Sequence, residues 1–544
     1  MRQNVVDVFM TLVEGDRKKF MKTTNENLGQ QFSRQAATVT GAKVVYLLTR
    51  FALPPLILSY VTLEEYGLWS ATFVLLGYLG MGAVGVSNVY VRYVAEYHTH
   101  GEQEKINHLL TTGLVLMITL GAVMLSLIWW TLPGIVGSFG VPPHLQKAAF
   151  SLMFGAAAVF MLDLSVGAFA YVLMGLRRVT EQTRVWMASF LLETALIVIL
   201  LYRGHGIYAL LWAFVARYLF AVIGQTVASY RALPGLSLRP RYFDRRALRL
   251  FFGYGAIVQA SSLLGMFLYS VEKLLASFLL GVRAVGLLDI GEKLPVMASQ
   301  LPATINGLFL PTLAHLQIQE RYEEMRNLYL RGLRYLNLLN GLLLGFLAAF
   351  AGPLITAWTG ADERLAAAAT IMTIMCLPYQ LHELTGPASA MHRAQGKPSR
   401  ELIYPLMQLS FVAITVATGL LAFGKTLMVI CGAVALSMVG SALLYLLYTN
   451  RLLGVEQPRF WRSVLLPGLL PYLVGFSLLL PLRSAFVLSS RLMTLGWLAL
   501  AGIIYVLLML AIGYRWLIDD SEREILLEKT SIYLRRRRLW NAPA

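Results

Sequence analysis

The sequence predicts an all-α polytopic membrane protein with about fourteen transmembrane helices, and three observations lead there. Apolar residues make up 57% of the 544 residues and charged residues only 14%, with a mean hydropathy of +0.63. Soluble chains carry about 25% charged residues, so the three or four soluble domains that length alone suggests could not keep their surfaces wet. Apolar runs long enough to cross about 30 Å of hydrocarbon recur from end to end. The basic residues, 46 Lys and Arg against 29 Asp and Glu, fall mainly in alternate connecting segments.

In chain order the runs occupy 36–60, 68–90, 109–131, 148–174, 185–202, 206–229, 252–279, 284–310, 332–355, 366–391, 401–423, 426–449, 463–482 and 492–514. Each is read as a helix, because lipid tolerates only helices or closed barrels, and the alternating ten-residue pattern of a barrel is absent. The connections are short and leave no room for an enzymatic domain. Residues 1–34 are polar and basic, so no cleavable signal peptide is expected ahead of the first span. The expected organisation is a cytoplasmic segment 1–35, a first lobe 36–229 (spans 1–6), a basic linker 230–251, a second lobe 252–450 (spans 7–12), a terminal helix pair 451–514, and a basic tail 515–544.

Orientation follows from the basic residues. Segments that an inside N-terminus would make cytoplasmic carry 34 of the 46, the alternate segments 7, and the spans themselves 5. Both termini are therefore expected in the cytoplasm. The formal +17 is mainly a topology signal. The Arg535–Arg538 run reads as an anchor beside anionic lipid head groups rather than as a nucleic-acid site. Two cysteines exclude a disulfide framework or a Cys-rich metal site.

An internal repeat is visible. The loop after span 1, Leu63-Glu64-Glu65-Tyr66-Gly67-Leu68-Trp69, has a counterpart about 219 residues later in Arg283-Ala284-Val285-Gly286-Leu287-Leu288, with Gly286 opposite Gly67. Met174-Gly175-Leu176-Arg177-Arg178 matches Gln395-Gly396-Lys397-Pro398-Ser399-Arg400 at nearly the same offset. The repeat implies two six-helix halves of the same membrane orientation, with two helices appended and a substrate path between the halves.

Ionisable residues inside spans are costly and are functional candidates. Arg50 lies deep in span 1, one face with Lys43 and Tyr46, with no acidic residue of its own span in reach. Asp163, Glu193 and Arg217 fall near mid-membrane in spans 4, 5 and 6, where Glu193 and Arg217 are also placed to pair across adjacent helices. Spans 7 and 8 carry Tyr269, Glu272, Lys273, Asp289, Glu292 and Lys293. Here Lys273 can pair with Asp289 or Glu292, Lys293 with Glu272, and Asp289 with Lys293 along one helix. Span 10 has His382 and Glu383 between Pro378 and Gly386-Pro387. Arg50, Lys43, Lys273, Lys293 and Arg217 are the candidates for a cationic cavity that accepts an anionic substrate. Asp163, Glu193, Glu272 and Glu383 are the candidates for a coupling proton or sodium ion. No metal, cofactor or catalytic residue is expected: there is no phosphate-binding Gly-rich loop with its Lys, and Gly80–Gly85 matches a dinucleotide pattern in letters only, inside a span.

These residues also carry a resemblance. Arg50-Phe51-Ala52-Leu53-Pro54-Pro55 through Trp69, Gly85-Val86-Ser87-Asn88 with Val91-Arg92-Tyr93-Val94-Ala95-Glu96, and Gly175-Leu176-Arg177-Arg178 are similar to segments of bacterial Wzx-type polysaccharide and oligosaccharide flippases. So are Glu272-Lys273-Leu274-Leu275 with Leu280-Gly281-Val282, and Leu310-Pro311-Thr312-Leu313. These flippases belong to the multidrug/oligosaccharidyl-lipid/polysaccharide exporter superfamily. The resemblance spans roughly 34–450 and implies two MATE-like six-helix lobes, alternating access, and a cationic cavity for a lipid-linked glycan. It places Arg50, Lys43 and Lys273 on the cavity wall. Position 272 departs from the family, with Glu where Asp is usual. The resemblance further implies membrane lipids as surroundings and a polysaccharide polymerase with other assembly proteins as partners. A cation-coupled multidrug exporter and a membrane glycan polymerase or ligase are the competing readings. The first would use mainly carboxylates and aromatics, and the second would need a long extracytoplasmic loop.

Overall fold

The computed structural model describes residues 38–517, apart from 81–85, 254–262, 266–267, 269, 308, 361 and 489. The N-terminal segment 1–35, Tyr269, Arg535–Arg538 and most of Gly80–Gly85 lie outside the described residues. The fold is helical, in this order: α1 (Thr38–Leu58), α2 (Leu63–Gly80), α3 (Val86–Thr99), α4 (Gln103–Ser138), α5 (Gln146–Val166), α6 (Ala168–Gly175), α7 (Val179–Tyr202), α8 (Tyr208–Ala232) and α9 (Arg245–Gly253). There follow α10 (Val271–Leu280), α11 (Val282–Asn306), α12 (Phe309–Ile318), α13 (Tyr322–Ala349), α14 (Ala351–Thr359), α15 (Ala366–Ala394), α16 (Ile403–Phe423), α17 (Leu427–Leu452), α18 (Leu466–Leu488) and α19 (Arg491–Ile512).

Among the described residues, eleven helical stretches are long and apolar enough to cross a membrane. The expected count of fourteen is not reached for identifiable reasons. The stretch expected at 68–90 crosses 81–85, and that at 252–279 is described mainly from Val271 onward. Helix α11 is long enough at 25 residues, but Arg283, Asp289, Glu292 and Lys293 lower its hydropathy.

The internal repeat is written in the helix boundaries. Leu63 and Val282 open corresponding helices 219 residues apart, as do Gln103 and Tyr322, Val179 and Pro398, and Tyr208 and Leu427; Pro143 and Glu363 are 220 apart. Among the described residues α18 and α19 follow the last of these corresponding helices.

The chain divides into two compact units. The first comprises 1–60, 75–133 and 147–256, and the second 61–74, 134–146 and 257–544, so α2 and α4 each run from one into the other. In the first unit, α7 packs along α8, and Gly175 lets α6 approach Val91 and Val94 of α3. The segment after α8 is strapped to α4. Asn107 donates to the Gly235 carbonyl at 3.2 Å and accepts from the Ser237 amide at 3.0 Å, and Thr112 accepts from the Asp244 amide at 2.9 Å. Helix α9 then buries Ala247 and Phe251 and exposes Arg245, Arg246 and Arg249, as an amphipathic helix at a membrane surface does.

In the second unit, α13, α15 and α17 form the core around Tyr329, Leu333, Leu384, Met391 and Tyr445. The appended α18 docks on α13 through polar groups. Asn337 donates to the Val464 carbonyl at 2.6 Å and Gln380 to the Gly468 carbonyl at 2.9 Å, while Gly341 and Gly345 let the backbones close up. Interhelical hydrogen bonds and small residues are what hold helices together in lipid, where apolar burial provides no drive.

The second unit also contains a reciprocal junction between α2 and α11. A β-carbon at Gly67 would overlap the Val282 carbonyl, and one at Gly286 would stand 2.9 Å from the Leu63 carbonyl oxygen and 3.2 Å from Gly67 Cα. Leu63 and Val282, like Gly67 and Gly286, are repeat equivalents, so the contact is made twice by the same chemistry. Arg283 and Glu64, equivalents again, pair at 3.6 Å. Beside them Phe139 meets Phe278 edge-on at 4.9 Å, and Gly140 meets Gly281, both with positive φ.

Candidate functional site: two buried charge clusters

The first cluster lies within the first unit. Arg50 of α1 donates to Glu193 of α7 at 2.8 Å, and Arg217 of α8 reaches the same carboxylate at 3.4 Å. Glu193 is 2% exposed, Arg217 12% and Arg50 22%. The two guanidinium groups flank one ring: Phe190 lies 5.1 Å from the Arg50 carbon and 4.1 Å from that of Arg217. Tyr46 and Tyr218 cover their other sides at 5.4 and 4.3 Å. Trp186 completes the cage, 5.5 Å from Tyr46 and 4.4 Å from Phe190.

The local reason is helical spacing. Tyr46 and Arg50 are four apart on α1, and Phe190 and Glu193 three apart on α7, so each charge is presented beside its ring. One carboxylate serves two guanidinium groups, and Asp163 is near enough to Arg217 for their charges to interact. A guanidinium has five N–H donors. Among the described residues Arg50 spends one, on Glu193. Desolvated cations with donors to spare suit a phosphate, which Arg binds in a bidentate fork. Lys43 stands two turns earlier on α1 and is half-buried.

The second cluster lies within the second unit. Asp289 accepts from Lys273 at 2.9 Å, from Lys293 at 2.9 Å and from the Tyr66 hydroxyl at 2.7 Å. Lys273 also reaches Glu292 at 3.6 Å. Lys293 therefore pairs one turn back on its own helix, and the alternative of Lys293 with Glu272 is not what the structure holds: the four-residue spacing along α11 already brings Asp289 to it. Glu272 is buried near Glu292, and one Glu292 oxygen has no hydrogen-bond partner among the described residues. Three carboxylates against two ammonium groups leave one negative charge unmatched, which a proton or monovalent cation would balance.

Glu383 has a different partner. Asn306 donates to its carboxylate at 3.0 Å and to its carbonyl at 3.2 Å, across the tight approach at Gly386. His382 faces the other way and shares a 2.6 Å hydrogen bond with the Tyr404 hydroxyl. Both His382 and Tyr404 line a cavity of about 160 Å³ that Glu272 also borders. Among the described residues no three His, Cys, Asp or Glu side chains are grouped to hold a metal ion. Tyr66, Phe190, Trp186 and Asn306 were not singled out from the sequence. Phe190 and Trp186 carried a signal, one turn and two turns before Glu193.

Solved structures with the same fold include two MATE transporters and a lipid II flippase. The chain is similar to an inward-facing multidrug resistance MATE transporter of the MOP superfamily (14% identity, 76% of this chain and 94% of that one, TM-score 0.61). It is also similar to the lipid II flippase MurJ in an inward closed conformation (12% identity, 88% and 98%, TM-score 0.64). A third is a mutant of the Vibrio cholerae MATE transporter VcmN (14% identity, 80% and 99%, TM-score 0.55). No curated protein matches the sequence. At these identities the likenesses establish the fold. The family model described as "Polysaccharide biosynthesis protein" matches residues 61–362, more than half of the chain, and the chain belongs to that polysaccharide biosynthesis family.

Proposed function

We propose that this protein is a flippase that carries a lipid-linked oligosaccharide or polysaccharide across the bacterial cytoplasmic membrane, without covalent chemistry, in the assembly of cell-surface polysaccharide. The observation that carries this reading is the Arg50–Glu193–Arg217 cluster in a chain of the polysaccharide biosynthesis family. Membrane lipids surround the chain, and a polymerase and other assembly proteins follow it in the process. The basic segments keep both termini in the cytoplasm.

The cluster suggests how a charged head group is handled. Without substrate, Glu193 neutralises part of the guanidinium charge, which limits the cost of burying it. A diphosphate entering the cage takes up the free donors of Arg50 and competes with Glu193, while Glu193 keeps its contact with Arg217. When the phosphate leaves, Glu193 closes again over Arg50. Tyr46, Phe190 and Trp186 exclude water, which strengthens each charge-assisted bond. Lys43 lines the approach along α1.

The reciprocal α2–α11 junction serves as the closure on the side opposite the basic loops. It is built from backbone contact, so it seals without side chains that must move aside, and Tyr66–Asp289 joins it to the second cluster. Opening separates Gly67 from Gly286 and breaks that hydrogen bond. Lys273 and Lys293 then remain on Asp289, and the Glu272–Glu292 region is where a coupling proton or sodium ion acts.

Arg50→Ala in a strain that depends on this protein should abolish surface display of the glycan while protein abundance stays normal. Undiminished display in that strain would remove Arg50 from the mechanism.

A further inference from the structure

We infer that a cavity inside the first unit is a subsite for the sugar portion of the transported molecule, an inference that rests on the flippase reading. The cavity has a volume of about 450 Å³, within the roughly 300–1,000 Å³ of ligand pockets. It is bounded by α3, α5–α6, α7 and α8, in the half of the unit nearest the loops 100–102 and 176–178. Those loops are on the side from which the basic residues have substrate loaded.

The lining has the chemistry that hydroxyl-rich rings require. Sugars offer closely spaced donors and acceptors at their edges and apolar C–H faces above and below. Gln182 and Gln225 present planar amides that can donate and accept at once. Tyr171 and Trp186 present aromatic faces beside them. The one cation on the wall, Arg217, stands at the end shared with the arginine cage and lies between Glu193 and Asp163. The rest of the described wall away from Arg217 and Asp163 is uncharged, with amides, hydroxyls and aromatic rings. Asp163 then takes sugar hydroxyls rather than a coupling ion.

One further observation points to a ligand here. The cavity adjoins the arginine cage, since Trp186 and Arg217 belong to both. A diphosphate on Arg50 would therefore have its first sugars at the mouth of this cavity.

The test uses the full chain in membranes with cysteine installed at Ser87, on the cavity wall, while Cys376 and Cys431 are both buried. Alkylation by a permeant maleimide is timed with two protectants. One is the glycan released by mild acid from the lipid-linked pool of the host cells, and the other is polyprenyl diphosphate without sugar. The glycan should slow labelling several-fold and the bare diphosphate should not. Gln182→Leu and Gln225→Leu should each raise the half-protecting glycan concentration about five-fold, the value of one hydrogen bond. Gln225→Cys provides a second reporter position should Ser87→Cys fail to fold. Absence of protection by the glycan, or protection by the bare diphosphate alone, would overturn the subsite. Leaflet transfer of lipid-linked glycan is measured on the same preparation. Transfer without protection ends the subsite and leaves the flippase reading standing, whereas protection without transfer ends the flippase reading.

Discussion

Replacing Gly67 with Ala adds one methyl group where the Val282 carbonyl already sits, so α2 and α11 must part before the junction closes. The same change at Gly286 is milder. Its methyl would meet the Leu63 carbonyl oxygen at 2.9 Å, and a few tenths of an ångström restore an ordinary contact. A separation of about 0.5–1 Å forfeits a quarter to a half of each van der Waals contact across the gap, and inserted methyl groups in packed cores cost about 1–3 kcal/mol. The closed form should thus lose about five- to a hundred-fold in population with Gly67→Ala, and several-fold less with Gly286→Ala. Because the overlap exists only when the junction is shut, overall stability is not the readout. The assay is cross-linking by a short bifunctional maleimide of cysteines at Glu64 and Arg283, whose side chains now reach each other at 3.6 Å. Cross-linking should be fast in the parent, slower with Gly286→Ala and slowest with Gly67→Ala, with melting temperature nearly unchanged. Equal cross-linking in all three, or the reverse order, would refute the idea that backbone contact at these glycines forms the seal.

Other outcomes follow from the two clusters. Glu193→Gln leaves two guanidinium groups without their shared carboxylate and should destabilise the folded protein by about 3–5 kcal/mol, read as a lowered melting temperature. Arg50→Gln together with Glu193→Gln should recover most of that stability without recovering transport. Lys273→Met exposes Asp289 and Glu292 to each other and should lower the melting temperature more than Lys293→Met, since Lys273 bridges both carboxylates. Asn337→Leu removes the hydrogen bond to the Val464 carbonyl and should loosen α18 from α13 at a cost of about 1–2 kcal/mol, seen as protease sensitivity confined to the segment after Leu452.

The helices and the repeat were legible in the sequence because hydropathy and basic-residue alternation are local signals. Gly67 opposite Gly286 marked an offset that the helix boundaries repeat throughout. The direct contact of those two glycines was not legible, because an offset gives correspondence and not proximity. Pairing within hairpins or neighbouring spans was readable, as with Glu193–Arg217 and Lys273–Asp289. Arg50 found its partner 143 residues away, in a helix no local pattern connects to it. Polar residues such as Asn337 and Gln380 carry no charge to draw attention within apolar spans, so the docking of the appended helices was silent. The linker 230–251 read only as basic, although its backbone is tied down by Asn107 and Thr112 of α4.

The measurement that bears most directly on the central claim is leaflet transfer in proteoliposomes. The purified protein is reconstituted with a fluorescent lipid-linked oligosaccharide, and loss of the inner-leaflet signal is followed under an imposed ion gradient. The account predicts transfer by the parent, and only background rates when Arg50 and Arg217 are both replaced by Gln. A parent that moves no lipid-linked sugar, or a double variant that moves it at the parental rate, would contradict it.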